Sequence, residues 1–159
     1  MKDVQNSQDN RNVDIQKVGI KHVELPLIVQ RKNASDKVVY ANARVCVSLP
    51  RDYKGTHMSR FVECLQTLGP VGLHEVEGIL DTLKERLQAE KAFLQLEFPY
   101  FITKAAPVSG QTAPMDIDCI YKAEKGEEFK LNICAVIPVQ TLCPCSKEIS
   151  AYGAHNQRA

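Results

Sequence analysis

The sequence predicts an α+β fold, a mostly antiparallel sheet carrying two helices on one face. Hydrophobic periodicity points to it. Val38–Leu49 alternates, with Val39, Ala41, Ala43, Val45, Val47 and Leu49 on one side and Tyr40, Asn42, Arg44 and Ser48 on the other. This is the period of two expected of a half-buried strand. The period then lengthens to that of a helix and later returns to two, so helices are inserted between strands.

Taken in order, residues 1–15 are polar and read as an arm. Lys17–Val29 has mixed strand character broken by Pro26, and Lys32–Asp36 reads as the turn of an antiparallel hairpin. Met58, Phe61, Val62, Leu65 and Leu68 follow helical spacing, with Met58 on the core side. Gly69-Pro70 stops that helix. Val76, Ile79, Leu80, Leu83 and Leu87 predict a second helix reaching Ala89, in a stretch of good helix formers. Strands are expected over Phe93–Thr103, over Met115–Tyr121 with Asp116 and Asp118 on the polar face, and over Phe129–Val139. The first module therefore spans 16–140. Residues 141–159 contain no pattern of a closing helix or strand, and the chain ends at Ala159, soon after the cysteine- and histidine-bearing segment, as expected of a truncated or split protein.

At 159 residues and 44% apolar content the chain suits one globular domain. A net charge of +1 carries no electrostatic footprint for nucleic acid or an anionic membrane. No apolar run approaches the roughly 20 residues of a membrane span. The polar N-terminus lacks the apolar segment of a secretory signal, so a cytoplasmic protein is expected. Six cysteines are present, and Cys46, Cys64, Cys119 and Cys134 read as small buried hydrophobes.

Cys143-Pro144-Cys145-Ser146 followed by His155 is the strongest local signal. Thiolate and imidazole are good ligands for a borderline-soft divalent metal. The same residues also read as a thiolate nucleophile with His155 as its base, or as a loop with two exposed thiols. His57, Ser59 and Arg60, at the start of the first helix, are candidates for holding a phosphate. Lys104, leaving a strand, is another.

Read together, DVQNSQDNRNVDIQKVGIKHVELPL, LPRDYKGTHMSR, KAAPVSG and PVQTLCPCSKEISAYGAHNQRA resemble the GTP cyclohydrolase I enzymes of type IB, from Asp3 to the end. A related archaeal branch, iron-dependent and making a cyclic-phosphate pterin, shares the pattern. The resemblance implies the tunnelling fold, two such modules per subunit and a homotetramer. It implies hydrolysis of GTP at C8, giving formate and 7,8-dihydroneopterin triphosphate, the first step of tetrahydrofolate biosynthesis. It further implies a divalent metal (zinc, manganese or iron), with Cys143 as ligand, His155 as a residue of the metal site and Cys145 as an alternative thiol. The remaining ligands and the guanine-anchoring glutamate belong to a second half, so a non-catalytic module that only assembles or binds metal is the competing reading.

Overall fold

The computed structural model describes residue 10 and residues 13–32, 34–66, 70–151, 153 and 155–158. The polar arm lies mostly outside them, as do Leu68 and Gly69 of the expected helix stop.

The first strand pair, β1 (Ile15–Val29) and β2 (Lys37–Leu49), is antiparallel. Two irregularities interrupt its register, each placing one extra residue on β1, between Ile15 and Val18 and between Ile20 and Val23. They explain the mixed pattern of this segment. Val18 and Ile20 have one parity; Val23, Leu25, Leu27 and Val29 have the other. A bulge between them returns both sets to the same face of the sheet. His22, at this bulge, adopts a left-handed φ of 61°.

Pro26 does not break the strand. It pairs opposite Tyr40 on an edge strand, where a missing N–H is tolerated. Its carbonyl accepts a hydrogen bond from Val71 N–H at 2.8 Å, and Ile28 N–H donates to Val71 O at 2.7 Å. The segment leading to the second helix thus covers part of the open edge of β1.

Helix α1 (Met58–Gln66) and helix α2 (Val76–Leu87), the latter preceded by a 3₁₀ turn at Leu73–Glu75, follow β2. α1 packs on β1 and α2, and α2 packs on β2. Phe61, Leu80 and Leu83 are fully buried with Leu27, Ala43, Val45 and Leu96. Met58, expected in the core, is 42% exposed and Val62 is 43% exposed, while Cys64 is buried. The buried stripe of α1 runs through Phe61, Cys64 and Leu65, one step around from the expected one. α2 ends at Leu87, where Gln88 takes a left-handed φ of 52° and Ala89 N–H bonds Lys84 O at 2.9 Å.

β3 (Ala92–Ala105), β4 (Thr112–Lys125) and β5 (Phe129–Val136) complete a five-stranded sheet of order β1-β2-β3-β4-β5. β2 and β3 are antiparallel although the helices intervene. The short connections after β3 and β4 make hairpins of the rest. Lys125 donates to Glu77 at 2.6 Å and Lys84 to Gly126 O at 2.6 Å, tying α2 to β4 and its turn. The last strand stops at Val136, short of the expected Val139, and Ile133, Val136, Ile137 and Val139 are all more than half exposed.

The described residues of the last segment hold more regular structure than their sequence suggested. They form β6 (Gln140–Leu142), a short helix α3 (Pro144–Ile149) and β7 (His155–Arg158), with β6 and β7 antiparallel. Among the described residues, no helix is long and apolar enough to cross a membrane. The chain divides into two compact units, Met1–Pro99 with Cys119–Cys134, and Tyr100–Asp118 with Ala135–Ala159.

Gly19 faces Cys46 across the pair, and a Cβ there would lie 1.9 Å from Val45 O and 2.7 Å from the Cys46 Cα. Backbone cannot yield as a side chain can. Gly19→Ala is therefore expected to destabilise the protein by on the order of 3 kcal/mol, read as a fall in the denaturant midpoint. A midpoint within error of the parent would refute the close approach.

Candidate metal and phosphate site

Cys143 stands between β6 and α3. Its backbone is extended (φ −71°, ψ 122°) and it is the N-cap residue of the helix, with Pro144 at the first helical position. Proline suits that position because its missing N–H would have no partner there anyway. Cys143 O accepts from Ser146 Oγ at 2.9 Å and from Lys147 N–H at 3.3 Å.

The sulfur does not close a full capping hydrogen bond. It lies near enough to donors to feel them, however. The backbone N–H of Ser146, then that of Cys145, then the Ser146 hydroxyl hold the Cys143 thiol below the ordinary thiol range. These donors favour the anion, as hydrogen bonding to a charged form does. Cys143 is half-buried and Cys145 is exposed.

The chain returns to Cys143 by a local route. Ser150 N–H bonds Ser146 O at 3.1 Å, and Gly153 N–H bonds Ser150 Oγ at 2.9 Å. Gly153 has a left-handed φ of 67° and packs against Lys147 and Ser146. β7 then pairs with β6 so that His155 is the register partner of Leu142. Residues so paired have Cα atoms roughly 4.5–5.5 Å apart. The backbones of His155 and Cys143, twelve positions apart in sequence, are thereby neighbours. Ser146 and Gly153 are the shape-making residues that a search for ligands overlooks. Their signal is a hydroxyl three residues after the cysteine and a glycine two before the histidine.

The phosphate candidates are placed as follows. Arg60 donates from Nη1 to Arg86 O at 3.1 Å, fastening α1 to the C-terminal end of α2. His57 and Arg60 border a cavity of only about 10 Å³, room for one water at most. Ser59 is exposed. Lys104 is exposed at the end of β3, in the second unit, beside an open pocket of about 270 Å³ that Pro107 and Met115 also line. Among the described residues no group of three or more His, Cys, Asp and Glu side chains is gathered as a metal site.

A family profile described as type I GTP cyclohydrolase FolE2 matches residues 1–159. The chain belongs to that family. Among similar curated proteins is the GTP cyclohydrolase FolE2 of Caldicellulosiruptor saccharolyticus, 48% identical over 159 residues, all of this chain and 62% of the relative. Those of Geobacter metallireducens and Magnetococcus marinus are 47% and 45% identical over 160 and 161 residues, again all of this chain and 61% of each relative. The chain thus spans about six tenths of the length of the curated relatives it matches.

In the metal-free protein the Cys143 thiolate should form at lower pH than an ordinary thiol. Alkylation at Cys143, followed by peptide mass spectrometry, should reach half its limiting rate at lower pH in the folded chain than in urea. Ser146→Ala should move that midpoint upward, partway, because the backbone donors remain. Identical folded and unfolded midpoints would remove the assigned cause.

Proposed function

We propose that this chain supplies the metal-binding half of a GTP cyclohydrolase I of type IB, built on the tunnelling fold and acting in the cytoplasm as a homo-oligomer. The reaction is opening of the guanine ring at C8, with release of formate and formation of 7,8-dihydroneopterin triphosphate. The observation that carries this reading is the strand register that brings the backbone of His155 beside that of Cys143, in a chain matched over its full length by the family.

The donor types of Cys143 and His155 suit a borderline-soft divalent metal such as zinc or iron, with manganese a harder alternative. Cys143 offers a thiolate already favoured by its own helix, and His155 offers a neutral nitrogen donor. When bound, the metal supplies the Lewis acidity that makes water a nucleophile at neutral pH. The N–H groups of Ser146 and Cys145 favour the anionic form of the sulfur, and Pro144 limits the backbone freedom of the turn. Cys145, exposed on the helix, is the secondary thiol. His57, Ser59 and Arg60 in the first unit and, separately, Lys104 in the second are candidate phosphate contacts; a guanidinium has five donors, so the bond to Arg86 leaves others. The exposed apolar residues of β5 suit assembly. The cyclic-phosphate product of the archaeal branch is the alternative outcome of the same chemistry.

The lowered Cys143 thiol also suits a nucleophile, and one experiment separates the two roles. The chain is co-expressed with the remaining C-terminal segment of a relative, and bound metal and formate are measured together. Cys143→Ala should lose metal and formate release together, formate by at least about a hundredfold, and Cys145→Ala should be milder. Full metal occupancy with no turnover in Cys143→Ala would overturn the ligand role and favour the nucleophile. Metal binding with no formate in the parent pair would favour the non-catalytic module.

A further inference from the structure

The face of the sheet turned away from α1 and α2 gathers positive charge in the first unit. Strand alternation sets Arg44 opposite in sense to the buried Ala43 and Val45. The register puts Arg44 beside Gln95 and Cys46 beside Phe93. Lys17 of β1 holds its ammonium 4.2 Å from the centre of the Phe93 ring. Lys122 of β4 and Lys130 of β5 join Lys17 and Arg44 around a pocket of about 280 Å³. Glu124 is the one carboxylate lining it. Glu97, further along β3, accepts from Gln95 Nε2 at 2.6 Å.

Four cations from four strands therefore face one acid, in a chain whose overall charge is only +1. Among the described residues no ion pair joins any of the four to a carboxylate, whereas the neighbouring Lys125 is paired with Glu77 and lies 4.0 Å from Asp81. Like charges held this close repel, and a concave site focuses their field. At least two of them act on one half-buried thiol: partial burial pushes Cys46 up overall, and Arg44 and Lys17 pull it back in part.

We propose that this pocket binds a small multivalent oxyanion of the phosphate class. Its volume lies at the lower bound for small-molecule sites, so it takes an anion of few heavy atoms whole. A guanidinium fork, three ammonium groups and the Gln95 amide are donors matched to phosphate oxygens. None of its residues belongs to the Cys143–His155 segment or to the His57–Arg60 segment, so the site is additional to the one above. Free pyrophosphate and the tail of a nucleotide share this chemistry.

The test uses the full chain, metal-free and at low ionic strength, so it is independent of metal loading and formate release. Titration calorimetry with pyrophosphate, phosphate and GTP is compared with sodium chloride at matched ionic strength. Saturable one-site binding is expected, tighter for pyrophosphate than for phosphate and weaker with added salt. Arg44→Met and Lys122→Met should each weaken it about tenfold, and Glu124→Gln should tighten it. All three positions are on the open face, so the melting temperatures in chloride should stay at the parent value. Bound pyrophosphate should also slow alkylation of Cys46. Tighter binding of GTP with the same Cys46 protection would support the pocket and assign it to a nucleotide tail. A response no greater than that to chloride, or pyrophosphate affinity unchanged in both Met variants, would overturn the proposal. So would binding of an acidic peptide, but not pyrophosphate, that is lost in Arg44→Met, which would assign the pocket to a protein partner.

Discussion

The first unit rests on the burial of one face of β2. Ala41, Ala43, Val45 and Val47 are all at most 1% exposed, and among the described residues no other strand is covered so completely. Two of the four are alanines, whose small side chains let large neighbours such as Phe61, Leu80 and Leu83 fill the interior without a gap. Truncating any of those three would leave a cavity, at about 2–5 kcal/mol each. Once this face is fixed, strand alternation determines what the opposite face displays. Arg44 and Cys46 are turned outward because Ala43, Val45 and Val47 are turned in. The charged pocket is thus a consequence of the same constraint that builds the core.

Much of this was legible in the sequence. The alternation of β2 and the helical spacing of α2 are strong signals because burial there is one-sided and nearly complete. β1 was harder, since a bulge changes the parity of its apolar residues, and a reading at constant period sees only mixed character. Pro26 misled for a related reason. Its cost depends on whether the strand is central or at an edge, and that is a property of the sheet. The stripe of α1 was misplaced by one step because Cys64 packs inward as a small hydrophobe and Met58 does not. Cys46, Cys119 and Cys134, read as buried, are only half so, because alternation or strand ends bring them to partly open surfaces.

The end of β5 shows where hydrophobicity and burial part company. Ile133, Ile137 and Val139 alternate as a core face would, yet each is more than half exposed. Pro138 has no N–H to continue a ladder, which fits the end of the strand at Val136. Periodicity reports which residues prefer to be covered, and it is silent on whether the cover belongs to this chain. An apolar strand at the edge of a sheet has both side chains and backbone groups available for pairing, and this matches the assembled state proposed for the protein.

The segment around Cys143 depends on local devices instead of a core, and for that reason its shape was not legible from periodicity. β6, α3 and β7 are too short to show a period. What organises them is stereochemical: an extended cysteine, a proline entering the helix, a serine hydroxyl bonded back to the cysteine carbonyl, and a glycine in the left-handed region. Each restricts the backbone without burying apolar surface. Their combined effect is to set His155 across from Leu142 and to leave the N–H groups of Cys145 and Ser146 near enough to the sulfur to favour its anion. A site made this way keeps its thiol accessible, as a ligand or a nucleophile requires, while the donors that stabilise the anion are fixed in advance. The sequence spacing of cysteine and histidine names the candidate donors, and the proline, serine and glycine between and around them shape the backbone that carries them.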